Sequence, residues 1–306
     1  MATATTSLHT DWRQEWFEIE DATYLNFASQ APMPRATIRA VQAAIEANKY
    51  PHHKSDSTFF EVPNRIRASI AKLIGGKPEE IAITTGASNG MAAVAYGLSW
   101  NPGDEVITSK GEFPLQYATW KPMEEREGLK LKIVSPREHF ITADDLLAAM
   151  TPKTRAVSVS LVRFDDGSLL DAARVAAACR AQGALLVLDI SQSCGAMPLD
   201  VEKLGADFMV CAGYKWLLGP LGQDFSGPRA SSSPKCGLVP STGWRSLVHT
   251  ISPRSPSTTR NPRRPLNAGT PRSRPVISIL IWWPWTCRLT LSCVWVRRRL
   301  PRTTAN

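Results

Sequence analysis

A regular alternation of two hydrophobic periods between residues 33 and 215 constrains this chain more than any other feature. Ile38, Val41 and Ile45 lie on one helical face after Pro32 and Pro34. Val62, Ile66, Ile70, Leu73 and Ile74 form a second stripe, closed by Gly75-Gly76. Short apolar runs then recur at 81–84, 105–108, 131–134, 156–162, 184–188 and 208–211. Most are separated by helical stretches of about 10–15 residues, the crossover length that parallel strands require. Segment 171–182 carries its own helix punctuation, Asp171 at the start and Gly183 at the end. The pattern predicts an α/β fold, a doubly wound, mainly parallel sheet with helices on both faces.

The pattern stops at residue 222, and composition shows why this matters. Residues 1–222 hold 22 basic and 26 acidic side chains, whereas 223–306 hold 14 basic residues and one acid, Asp224. The formal charge of +9 therefore belongs to the last 84 residues, and the body is mildly acidic. Those 84 residues also contain eleven Pro, no Glu and five of the ten Trp. Segment 276–296 is mostly apolar, but Pro284 and Arg288 interrupt it, so it is a poor membrane span. Ser, Pro and Arg richness suggests a disordered tail, while the tryptophans argue against one.

The genetic code offers a third reading. Residues 222–228 are Gly-Gln-Asp-Phe-Ser-Gly-Pro. Read from the third base of the Gly222 codon, with Ser226 as a TCN codon, the same DNA permits Thr-Gly-Phe-Leu-Trp, which after an in-frame Gly222 makes Gly-Thr-Gly-Phe-Leu-Trp. That is a glycine turn followed by an apolar strand. The chain is thus divided into an N-terminal segment (1–20), a large domain (21–222) and a tail (223–306) that is disordered or frameshifted. The basic clusters Arg263-Arg264 and Arg297-Arg298-Arg299 leave a nucleic-acid-binding arm as a weaker alternative. Out-of-frame GC-rich DNA would give the same arginines.

Six cysteines (179, 194, 211, 236, 287, 293) form no CxxC pair and no zinc-ligand spacing, so no metal is expected. No apolar leader is visible near Asp11, Arg13, Glu15 and Glu18, and a reducing cytoplasm is the expected compartment.

The chemistry-bearing residues cluster in two stretches. An apolar strand runs Leu185-Leu186-Val187-Leu188-Asp189, with Gln192 three residues on. It ends in an acid, at the edge where open α/β sheets place ligands. A second strand leads into Ala212-Gly213-Tyr214-Lys215-Trp216-Leu217-Leu218-Gly219-Pro220. Upstream, strand 81–85 runs into Gly86 and a helix over 87–98, whose first N–H groups suit an anion. Each feature has a plainer explanation: a solvated lysine, a turn-capping acid, a surface amide, a glycine before an ordinary helix, or a core aromatic at Phe113.

In combination these motifs resemble the class V aminotransferase and cysteine desulfurase family of fold-type I pyridoxal-phosphate enzymes. The branch that includes isopenicillin-N epimerase-like and selenocysteine-lyase-like proteins is the most similar. The resemblance covers about residues 21–222 and is carried by Tyr24-Leu25-Asn26-Phe27-Ala28, Thr84-Thr85-Gly86-Ala87-Ser88-Asn89, Glu112-Phe113, Ser160 to Gly167, Asp189-x-x-Gln192 and Lys215, in that order. It implies that Lys215 holds pyridoxal phosphate as a Schiff base and that Asp189 pairs with the ring nitrogen. Gln192 would meet the phenolic oxygen and Phe113 would stack on the ring. Ala87 and Ser88 would hold the phosphate, with the Tyr214 phenol in reach of it. It further implies an amino-acid substrate, a homodimer, and transamination, desulfuration/lyase or epimerase chemistry.

Departures from the family pattern are equally specific. Tyr214 stands where many relatives have histidine, and Ala212 where they have serine. Ser160-Leu161-Val162-Arg163-Phe164 lacks the usual asparagine. The small C-terminal domain, with its substrate-carboxylate arginine, has no counterpart in 223–306. A non-catalytic remnant that binds the cofactor weakly or not at all is the alternative reading.

Overall fold

A computed structural model describes residues 16–20, 22–55 and 57–228. Expectations for the rest of the tail, including Cys236, Cys287, Cys293 and the arginine clusters, lie outside the described residues. Two helices come first, α1 (Arg35–Ala47) and α2 (Thr58–Ile74), the latter ended by left-handed Gly75. Alternating elements follow: β1 (Ala82–Thr84), α3 (Ala87–Gly97), β2 (Glu105–Ser109), α4 (Pro114–Glu127), β3 (Lys130–Val134), α5 (Ala143–Ala149), β4 (Thr154–Ser160), α6 (Ala172–Gln182), β5 (Leu185–Asp189), α7 (Val201–Leu204), β6 (Phe208–Cys211) and β7 (Asp224–Pro228).

The six runs read from the sequence are β1 to β6. Among the described residues they join one sheet in the order β1-β7-β6-β5-β4-β2-β3. Strands β3, β2, β4, β5 and β6 are parallel, whereas β7 is antiparallel to both β6 and β1. The sheet thus continues past the compositional break at 222. β7 lies between two strands of the body, with Thr84 opposite Asp224 and Cys211 opposite Phe225.

Alternate side chains of each strand enter opposite cores, as a sheet covered on both faces requires. Val106, Ala156, Leu185, Val187, Phe208 and Val210 pack with Met91 and Val94 of α3 and Trp120 and Met123 of α4. Ile107, Val157, Val159, Leu186, Leu188 and Met209 pack on the other face, with Leu146 of α5 and Val175 and Cys179 of α6. Each such Val, Leu, Ile, Phe or Met side chain stabilises the fold by about 1.5–3 kcal/mol relative to exposure. Helix α6 is punctuated as its sequence reads: the Asp171 carboxylate accepts from the Arg174 N–H at 3.1 Å, and Gly183 closes it with φ 73°. Helix α1 differs in depth. It forms where Ile38, Val41 and Ile45 predict it, but none of its residues is buried.

Candidate active site

The carboxyl ends of the parallel strands open into one cavity of about 250 Å³. Each strand delivers side chains through the turn that follows it. β1 leads to Thr85, Gly86, Ala87 and Ser88; β2 leads to Phe113; β4 ends at Ser160 and leads to Phe164. β5 ends at Asp189 with Ser191 and Gln192 beyond it, and β6 leads to Ala212, Tyr214 and Lys215. All seven residues singled out from the sequence (Ala87, Ser88, Phe113, Asp189, Gln192, Tyr214 and Lys215) line this cavity. A larger hollow of about 630 Å³ lies beside Trp16, Phe27 and Trp216, but among the described residues no carboxylate, amine, imidazole or thiol lines it.

Lys215 and Asp189 are both buried, at 7% and 6% exposure. Burial pushes the Lys215 amine below the usual lysine range, against the opposing pull of Asp189, Cys211 and Asp224. Burial likewise pushes the Asp189 carboxyl up, only partly offset by Ser191 and Lys215. The Ser191 N–H donates to Asp189 Oδ1 at 2.8 Å, and the Ser191 hydroxyl accepts from the Ala212 N–H at 2.9 Å. One serine therefore ties the acid of β5 to the turn that carries the lysine. That turn is tight. A Cβ on Gly213 would overlap the Gln223 carbonyl oxygen, so only glycine lets β7 start this close to the lysine.

Lys215 Nζ lies 5.2 Å from the Phe113 ring centroid and 6.0 Å from that of Tyr214. Phe113 meets Phe164 edge-on at 5.3 Å. It is set in place by its neighbour Glu112, whose carboxylate accepts from Ser109 Oγ at 2.8 Å, Ser160 N at 3.0 Å and Ser160 Oγ at 2.6 Å. Arg163 stands behind them, bonded to Ser109, Asp165 and Asp166. Gln192 is shared more widely than the sequence suggests. Its amide donates to the Ala28 carbonyl at 2.9 Å and accepts from the Trp216 indole at 2.9 Å, pinning the N-terminal segment to the site.

Sequence reasoning passed over Asp224. It is 4% exposed, lines the same cavity, and accepts from the Gly213 N–H at 2.6 Å. No signal could have found it, because it stands inside a stretch whose composition reads as tail. Ser160 was legible as part of the family's strand motif, and Phe164 only as a departure from it.

Lys215, Asp189 and the aromatic wall suit a pyridoxal ring: an amine, a buried acid and flat apolar surface on one cavity. The opposite end suits a phosphate in part. Helix α3 starts at Gly86 without a side-chain cap, and Ala87 and Ser88 of its first turn line the cavity. Asp224 is the discordant group there.

The mainly parallel sheet with its helices matches the fold of PLP-dependent transferases. The structure superposes with a TM-score of 0.68 on a substituted C-DES carrying glycine covalently linked to its PLP cofactor, at 24% identity, covering 73% of this chain and 60% of that one. The aminotransferase class-V profile matches residues 23–280, past the point where the motif resemblance ends, and the chain belongs to this pyridoxal-phosphate family. It is 31% identical over 211 residues to isopenicillin N epimerase of Streptomyces clavuligerus, covering 66% of this chain and 52% of the relative. It is also 31% identical over 209 residues to cysteine desulfurase IscS of Salmonella newport, covering 65% and 51%. The chain spans about half the length of the curated relatives it matches.

Among the described residues, no group of three or more His, Cys, Asp or Glu side chains is placed to hold a metal ion. No described helix is long and apolar enough to cross a membrane.

Proposed function

We propose that this chain descends from, and in part retains, an enzyme that acts on the amine of an amino acid, with Lys215 holding the cofactor. The observation that carries the reading is the pair of buried, mutually interacting groups Lys215 and Asp189, delivered by neighbouring strands to one cavity with the start of α3. When bound, pyridoxal phosphate supplies an aldehyde for amines and a ring that accepts electrons from the substrate carbon. The lowered Lys215 pKa keeps a fraction of the amine neutral, able to take a proton from that carbon and return it. Asp189 would sit against the ring nitrogen, where a cation would favour its charged form. Phe113 and Phe164 would exclude water from one side, and Gln192 has a second amide hydrogen for the phenolic oxygen. Transamination, desulfuration/lyase and epimerisation share these steps; groups facing the substrate choose between them. A cytoplasmic homodimer accompanies the reading, and the three described cysteines, all buried and free, fit a reducing compartment.

The reading includes impairment. The described residues that line the cavity contain no arginine, and Arg163 behind them is held by Glu112, Asp165 and Asp166. The described lining therefore offers a substrate carboxylate no guanidinium to grip, and a misplacement of about 1 Å can cost roughly a hundredfold. We attribute the loss to a frameshift near residue 222. Support comes from β7, which puts Asp224 and the unpartnered hydroxyl of Ser226 into the interior.

Matched assays with L-cysteine and L-alanine test both parts. The chain as written should turn over at least roughly a hundredfold more slowly than a version restored by one base at the Gly222 codon. Lys215→Ala should abolish turnover in both. Equal rates would refute the impairment, and turnover that survives Lys215→Ala would remove the lysine from the mechanism.

A further inference from the structure

Because β7 runs antiparallel to its neighbours, its first residue lies at the same sheet edge as the last residues of the parallel strands. Asp224 is that residue. It pairs with Thr84, two positions before Gly86, and a Cβ built on Gly86 would lie 3.7 Å from Asp224 Oδ2 and 3.8 Å from the Ser88 N–H nitrogen. The carboxylate therefore stands at the beginning of α3, where Ala87 and Ser88 line the cavity. Its Oδ1 is fixed there by the Gly213 N–H at 2.6 Å, and its surroundings are dry at 4% exposure.

We propose that Asp224 is a built-in anion at the phosphate end of the cavity, selecting against phosphorylated aldehydes and in favour of their neutral counterparts. This rests on the assignment of Lys215 and the start of α3 as a carbonyl-ligand site. The physical reason is simple. A phosphate monoester brings a charge near −2 to a helix start that favours anions, but here a carboxylate already holds that position. Like charges brought together in a buried site repel strongly unless one is neutralised. A neutral aldehyde meets no such penalty, because its only demands are Lys215, Asp189 and the aromatic wall. The alternative reading frame at this position encodes glycine or arginine, neither of which carries the negative charge.

Equilibrium titrations of the full chain with pyridoxal phosphate and with pyridoxal, read by visible absorbance and by borohydride-fixed mass, decide the matter. In the chain as written, pyridoxal phosphate should bind no tighter than pyridoxal. Asp224→Asn keeps the acceptor for the Gly213 N–H and removes the charge; it should tighten pyridoxal phosphate by about tenfold or more while leaving pyridoxal within about twofold. Asp224→Gly should act in the same direction. If the variants do not fold, the ratio in the chain as written still decides. A preference for the phosphate of about a hundredfold there, or equal tightening of both ligands by Asp224→Asn, overturns the proposal while leaving Lys215 in place. No Lys215 adduct with either ligand in any chain overturns the site assignment and the proposal together.

Discussion

Asp189 shows how a single residue links stability to chemistry with opposite signs. Its carboxyl is buried with one backbone N–H and Lys215 as partners, and its folded pKa is raised. Such a group adds stability below its unfolded pKa, and that contribution is lost as pH rises through the folded value. At neutral pH burial of this acid therefore weighs against folding of the cofactor-free chain, with Ser191 and Lys215 offsetting it only in part. Asp189→Asn retains the acceptor for Ser191 N–H. It should raise the melting temperature of the cofactor-free chain at pH 7 by about 2–4 °C, the shift worth roughly 1 kcal/mol at this size. The gain should shrink as pH falls toward about 4. Thermal melts across that range check it. A lower melting temperature at pH 7 would show that Asp189 is a net structural anchor.

At the scale of elements, β7 is where sequence and packing disagree. Phe225 is 1% exposed and fills the interior as a strand residue should, but Asp224 and Ser226 beside it are equally enclosed. Ser226 Oγ has no hydrogen-bond partner, and its Cβ faces Gly90 of α3 too closely for any larger residue at 90. An orphaned buried hydroxyl costs about 1–3 kcal/mol. Ser226→Ala should therefore raise stability in denaturant titration by about 1 kcal/mol, and a loss of that size would mean the hydroxyl has a water partner. The same residues explain what was legible beforehand. β2, β4, β5 and β6 announce themselves as apolar runs because both faces are buried, and Asp171 and Gly183 mark α6 by their cap chemistry. β7 has no such run: its Asp, Ser and Gly read as a turn, so the strand and its site residue Asp224 stayed hidden. The seven cavity residues were legible because each follows a strand end in a fixed order. Gln192's ties to Ala28 and Trp216 were not, since they join positions 164 and 24 residues apart.

For the whole molecule, the sheet brings five strand ends to one edge, and the proposed cofactor chemistry rests on what those ends carry. Large parts of that account stand on Lys215 being the attachment point. The most direct measurement is to incubate the full chain with pyridoxal, or with pyridoxal phosphate at high concentration, reduce with borohydride, digest, and map the modified peptide by mass spectrometry. The account predicts one dominant modified residue, Lys215, at a pH below that needed to modify exposed lysines, as its lowered pKa requires. Modification spread evenly over surface lysines such as Lys49 and Lys121, with Lys215 untouched, would contradict it.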